Sequence, residues 1–179
     1  EDDPDWVAKL GNRDFTFPKT KKAFLLTVFS YFFLIKGISD AFWFLKRFEN
    51  EDSTAVNQTE SKIFRLVFYA LLFGGLTFFG AWKYFLIYWI VPYFSTFFMI
   101  QYIRSVAEHF GDLAYEDNLT GTRTVKATLL EKFFLAPHNV GYHLEHHLYP
   151  GVPFYNLPKL HELLMSQEAY RGRAHLTIG

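Results

Sequence analysis

The chain has no cysteine among its 179 residues. That absence removes thiolate zinc sites, iron–sulfur clusters, thiol nucleophiles and structural disulfides together, so any metal must be held by His, Asp or Glu. Net charge is lacking too. The 18 Lys and Arg balance the 18 Asp and Glu, no basic block is present, and nucleic acid is not expected as a partner. Methionine is scarce, and neither of the two stands at the start. The opening Glu1-Asp2-Asp3-Pro4-Asp5-Trp6 also lacks the succession of charged, apolar and small residues that marks a signal peptide. It reads as an internal start, with the chain expected to be a fragment of a larger domain.

Aromatics, by contrast, are abundant: 22 Phe and 11 Tyr. From Leu66 to Ile103 the single charged side chain is Lys83. A spanning helix takes roughly 20 apolar residues, so this run accommodates two. They divide at Gly80-Ala81-Trp82-Lys83, where a glycine, an interfacial Trp and one cation predict a tight turn. The expected element is a transmembrane helical hairpin within residues 61–103, with helices over Ile63 to Gly80 and Tyr84 to Ile103. Lys62, Arg65 and Arg104 at the open end outnumber Lys83 at the tip, which puts both ends in the cytoplasm by the positive-inside rule. Pro92 predicts a kink in the second helix. Gly74-Gly75 offers room for close helix approach, although both residue types are ordinary in membrane helices and carry no function by themselves.

Residues 1–60 read as a cytoplasmic or interfacial segment. Its amphipathic helix, over 23–45, is expected at the membrane surface, with Lys19, Lys21 and Lys22 at one end and Lys46 and Arg47 at the other. The alternative is a tilted third span that tolerates Lys36 and Asp40. Glu49 to Glu60 is polar and aperiodic, hence a solvent loop. The Asn-x-Thr triplets at Asn57 and Asn118 fall on the cytoplasmic side and read as chance.

Residues 104–179 form the histidine-rich cap, with six of the seven histidines between His109 and His161. Short helices are expected over Leu129 to Leu135 and over Leu157 to Met165, the second with Asn156 as N-cap and Pro158 in its first turn. The densest signal is His138-Asn139-Val140-Gly141-Tyr142-His143-Leu144-Glu145-His146-His147. If Tyr142 to Leu148 is helical, at about 100° per residue His146 lies about 60° to one side of His143 and His147 about 40° to the other. The three share a face, and the outer two diverge enough to serve two metal ions. Glu145 points nearly the opposite way. His109 lies where the second spanning helix emerges and joins the cluster as a candidate ligand, whereas His161 and His175 read as non-ligands. An all-imidazole set suits Zn, Cu, Fe or Ni rather than Ca or Mg. Zinc hydrolysis would need a His-Glu-x-x-His helix, which is absent, so a redox metal is favoured.

At these residues the chain resembles the membrane fatty acid desaturase and hydroxylase superfamily, whose active site is assembled from histidine boxes. His143-Leu144-Glu145-His146-His147 matches the last box, H-x-x-H-H, within Asn139-x-x-Tyr142-His143-x-Glu145-His146-His147-Leu148-x-Pro150. His109 matches a histidine contributed just after the last spanning helix, and the tail from Pro153 to His161 is similar too. The earlier boxes are absent. Ser105 stands where some acyl-CoA desaturases have an Asn that approaches the metal through water, which implies a different branch.

The resemblance implies an all-α, integral membrane fold. It implies two Fe ions held by His109, His143, His146 and His147 together with ligands from upstream, and O₂ as co-substrate. Glu108, Asn139, Glu145 and His138 are then candidates for orienting those ligands from behind. A lipid acyl chain would reach the cytoplasmic site from the bilayer, and an external carrier of ferredoxin or cytochrome b5 type would supply electrons. Desaturation and hydroxylation share this ligand set. A rival reading is a transporter or metal-binding protein using His as ion or proton ligands; such proteins place ionisable groups within their spans, and Leu66 to Ile103 holds no His, Asp or Glu.

Overall fold

The structure is a computed structural model that describes residues 13–17, 19–50, 62–110, 113, 121–172 and 177–178. The acidic opening, most of the loop expected over Glu49 to Glu60, both Asn-x-Thr asparagines and His175 lie outside the described residues. The chain divides into two compact units, Leu25–Met99 and Glu1–Phe24 with Ile100–Gly179. The architecture is all-α: α1 Lys21–Phe32, α2 Ile35–Asn50, α3 Lys62–Phe78, α4 Trp82–His109, α5 Leu129–Phe134, α6 His143–Leu148, α7 Leu157–Leu164 and α8 Glu168–Arg171. The exception among the described residues is one parallel pairing of two-residue strands, β1 Thr124–Val125 with β2 Thr177–Ile178.

The single amphipathic helix expected over 23–45 is corrected to two helices, α1 and α2, bent by 85°. Leu34 between them has φ +68°, a left-handed conformation that costs an L-residue roughly 1–2 kcal/mol. The break brings the fully buried Tyr31 hydroxyl onto Asp40 Oδ2, giving a buried carboxylate the donor it requires. Together α1 and the first part of α2 are apolar enough for a broken span or re-entrant loop. At Gly37 a Cβ would stand 1.8 Å from the Phe94 carbonyl oxygen of α4, so α2 approaches α4 as only glycine permits.

The reversal between α3 and α4 falls where the sequence predicts it. Gly80 has φ +59°; its N–H donates to Thr77 O at 3.2 Å, and the Ala81 N–H donates to Leu76 O at 2.8 Å. These are the two bonds of a Schellman motif with glycine at C′. Trp82 then stacks on Phe73 with centroids 5.8 Å apart and donates its indole N–H to Thr77 Oγ1 at 3.2 Å.

Among the described residues α4, 28 residues long, is the one unbroken helix long and apolar enough to cross a membrane, and α3 is a shorter apolar helix. Large apolar side chains of α3 are exposed from Ile63 (72%) to Phe78 (83%), an all-round apolar surface that water alone does not sustain. Pro92 does not break α4. It is flanked by wide π turns, Leu86–Ile90 and Tyr93–Phe97, which absorb the missing N–H, while Ser95 Oγ donates to Val91 O at 2.7 Å and Thr96 Oγ1 to Pro92 O at 3.0 Å. A Cβ at Gly74 or Gly75 would meet nothing within 4 Å, so neither glycine serves a close helix contact among the described residues.

In the other unit, Phe15 and Phe24 pack their rings on Tyr102 at 5.3 and 5.8 Å, and the Tyr102 hydroxyl donates to Asp14 O at 3.2 Å. A second core gathers Leu144 of α6, Leu164 of α7 and Tyr170 of α8, with Leu148, Leu160 and Met165 against them. Leu144 and Leu148 give α6 its place in this core.

Candidate metal centre

α4 continues to His109 instead of ending near Ile103, so Arg104, Ser105, Glu108 and His109 occupy its last two turns and the helix itself aims them. Ser105, Glu108 and His109 are buried. The chain returns to cap this end: the Glu108 carbonyl accepts from Thr122 Oγ1 at 2.8 Å and from the Arg123 N–H at 3.1 Å, and Arg123 Nη2 donates to Phe110 O at 2.7 Å. Carbonyls that a helix C-terminus leaves open are thereby satisfied, with a cation beside them. β1 follows, and the Val125 N–H donates to Gly141 O at 2.8 Å. A Cβ at residue 141 would lie 2.4 Å from Val125 O, so glycine is what lets the box segment run against β1. α5 opens on a capping box in which Thr128 and Glu131 bond reciprocally; the backbone and hydroxyl of Thr128 hold the Glu131 carboxyl below its usual range.

Three imidazoles converge. His143 Nε2 is 2.7 Å from His109 Nε2 and 3.0 Å from His147 Nε2, and one ligand nitrogen from each ring lies within 4.8 Å of the others. The rings meet edge to face, at 86° for His109 and His143 and 76° for His143 and His147. His109 is 1% exposed and His143 8%. Burial first, then the neighbouring His109, His147, Arg104 and His146, push the His143 imidazole down to about 2. It is therefore neutral at any working pH.

The donor set fits a metal ion. A neutral ring nitrogen carries either one proton or one lone pair, so His143 Nε2 cannot be fully satisfied by two like nitrogens. A cation accepting a lone pair from each ring removes the conflict. At a metal–nitrogen distance of about 2.1 Å, ligands at right angles stand roughly 3.0 Å apart, close to the two separations seen.

Beside the cluster, Glu108 Oε2 lies 3.9 Å from His143 Nε2, and its carboxylate is gripped by Arg104 at 3.2–3.4 Å. His146 is turned aside, as the helical wheel predicts, with its ring centroid 6.3 Å from that of His143. It borders a cavity of about 260 Å³ that Arg104, His138, His143 and Phe154 also line. His138 is exposed, at φ +56°, with its ring against Phe154 at 5.0 Å. Asn139, also at φ +56°, donates from Nδ2 to Phe154 O at 3.2 Å. Its bond thus braces two loops rather than orienting an imidazole.

Glu145 faces away from the cluster and is fully buried. Tyr170 donates to its Oε1 at 2.7 Å and Thr124 Oγ1 to its Oε2 at 2.8 Å. The Nδ1 of His161 lies against the same Oε1 and 3.0 Å from the Tyr170 hydroxyl. Burial, then the bond to Glu145, raises the Tyr170 phenol and keeps it a donor; burial and the charges of Glu145 and Glu162 raise Tyr142. Sequence reasoning missed this network. His161 was read as a non-ligand and lies outside the cluster, but its bond to Glu145 was not foreseen; Thr124 and Tyr170 carry no local signal, because the partners come from β1, α7 and α8. Asn156 stands at the N-cap of α7 and Pro158 in its first turn, as expected, although the Asn156 side chain makes no capping hydrogen bond.

The sequence model of the family described as Fatty acid desaturase matches residues 1–178. Dihydrorhizobitoxine desaturase from Bradyrhizobium elkanii is 33% identical over 128 residues, which is 69% of this chain and 36% of that protein. The chain thus spans about a third of that relative's length. No solved structure matches.

Proposed function

This chain belongs to the fatty acid desaturase family, and on that premise we propose that it carries the last histidine box of a membrane-embedded di-iron enzyme that uses O₂ to desaturate lipid acyl chains. The observation that carries the proposal is the meeting of His109, at the end of α4, with His143 and His147 of α6, thirty-four residues further on. His109, His143 and His147 would hold metal together, and His146, diverging on the same helix toward the cavity, is the fourth proposed ligand. The remaining ligands would come from parts of the intact protein beyond this chain. When bound, two irons with O₂ supply the oxidising power needed to take hydrogen from an unactivated C–H bond, which no side-chain acid or base supplies.

The chain's own residues prepare that site. Burial keeps His143 unprotonated, so its lone pair is available without a competing proton. Glu108, tied down by Arg104, places negative charge beside the cluster and favours a cation there. α3 and α4 are proposed to span the bilayer as a hairpin, with α1 and α2 entering it as a broken span or lying at its surface. The Lys62, Arg65 and Arg104 excess puts the histidines on the cytoplasmic side. There an acyl chain arrives from lipid, and an electron carrier of ferredoxin or cytochrome b5 type docks from water. The relative's name makes it a desaturase of dihydrorhizobitoxine, which favours desaturation over hydroxylation here.

The test is gas chromatography with mass spectrometry of lipids from cells expressing the intact protein or its His143→Ala variant. The proposal predicts new double bonds that vanish in the variant. New hydroxyl groups in their place would transfer the chain to the hydroxylase reading, and an unchanged lipid profile despite full expression and reductant supply would count against both.

A further inference from the structure

α6 has six residues, fewer than two helical turns, and a helix that short has no stability of its own in water. Its rotation about its axis must be set from outside, and that rotation decides whether His143 and His147 reach His109. Two side chains anchor the opposite face. Leu144, 2% exposed, packs with Leu164 and Tyr170, but apolar contact is non-directional and tolerates slippage. Glu145 is different. Its carboxylate, fully buried, accepts from Thr124 of β1 at 2.8 Å and Tyr170 of α8 at 2.7 Å and meets His161 of α7.

Hydrogen bonds to a charged acceptor are directional and strong, and these come from three elements at once. Each element is itself held. β1 is tied to the box segment through Val125 N–H and Gly141 O at 2.8 Å. α7 and α8 share the Leu144–Leu164–Tyr170 core.

We propose that Glu145 is a positioning residue whose three-way clamp on Thr124, His161 and Tyr170 fixes the rotation of α6 and thereby sets the metal geometry of His143 and His147. It touches no metal ligand's ring and acts through the helix. The inference rests on the metal-centre reading above and adds to it the three partners and the means by which Glu145 would act, which histidine spacing does not contain.

The test titrates cobalt(II) into the intact, detergent-solubilised protein, following the visible ligand-field spectrum beside far-UV circular dichroism. Glu145→Gln retains an acceptor oxygen for Tyr170 and His161, and its amide can donate to the Thr124 hydroxyl, so it should bind cobalt within about threefold of the parent. Glu145→Leu removes the acceptor that Thr124, His161 and Tyr170 share and should weaken cobalt about 10- to 100-fold, the range for lost outer support of metal ligands, with an altered spectrum and unchanged helix content. Should Glu145→Leu not fold, the double variant Thr124→Val with Tyr170→Phe removes two donors and leaves the carboxylate; about tenfold weaker binding is expected. Parent-like affinity and spectrum in either folded variant would overturn the clamp, and so would Glu145→Gln falling as far as Glu145→Leu. If the parent itself binds no cobalt, the metal-centre reading fails instead, so the two failures are distinct.

Discussion

Replacing Gly141 with alanine tests how tightly the box segment is built. The new Cβ would lie 2.4 Å from Val125 O and 3.8 Å from the Ala136 Cβ. An ordinary carbon–oxygen contact is about 3.2 Å or more, so Val125 must retreat by roughly 0.8 Å. That retreat stretches its 2.8 Å bond to Gly141 O beyond useful length. Losing the bond costs about 1 kcal/mol, and overpacking a rigid site costs roughly 1–3 kcal/mol. The restricted unfolded chain returns about 0.4–1 kcal/mol, leaving a net loss of about 1–4 kcal/mol. Gly74→Ala is the control, because its Cβ meets nothing; in a helix interior it should stabilise by about 0.5–1 kcal/mol. Thermal unfolding of the detergent-solubilised intact protein, at one scan rate for all variants, separates the two. Gly141→Ala should melt several degrees below the parent and Gly74→Ala at or above it. Equal melting temperatures for the two variants would refute the packing argument.

Other consequences are open to measurement. Because the folded His143 imidazole sits near 2, below its ordinary 6.5, the metal-free folded state binds fewer protons than the unfolded one between those values. Stability present above pH 6.5 is therefore lost as pH falls. From pH 7.5 to 5.5 this amounts to about 1.4 kcal/mol, and a His143→Gln variant should lack that component in chemical denaturation at the two pH values. Tyr31→Phe removes the buried donor to Asp40 and should destabilise by about 1–3 kcal/mol; an unchanged melting temperature would show that the α1–α2 bend does not depend on that bond.

Much of this was legible in the residues. Gly80 marks the reversal between α3 and α4 because no other residue type takes its left-handed conformation so cheaply, and the actual turn is centred on it. The spacing of His143, His146 and His147 foretold a shared face with the outer two diverging about His143; His146 does turn aside, whereas His147 converges on His143, and Glu145 lies opposite, where the spacing placed it. The bend after Tyr31 was not legible. Tyr31-Phe32-Phe33-Leu34-Ile35 contains neither glycine nor proline, and the compensating bond to Asp40 is visible only in three dimensions. Pro92 was read as a kink, and nothing in the sequence showed the π turns that flank it within an unbroken α4. His161 was read only as a non-ligand, because a lone histidine gives no hint of partners that are 16 residues back at Glu145 and 9 ahead at Tyr170.

The central claim is that His109, His143 and His147 bind redox iron together. Iron content with iron-edge X-ray absorption of the intact protein, parent against His109→Ala and His143→Ala, tests it most directly. The account predicts two irons per intact chain in a shell dominated by imidazole nitrogen, with iron lost or its spectrum changed in both variants. Zinc alone, no metal, or iron whose content and spectrum survive both substitutions would contradict it.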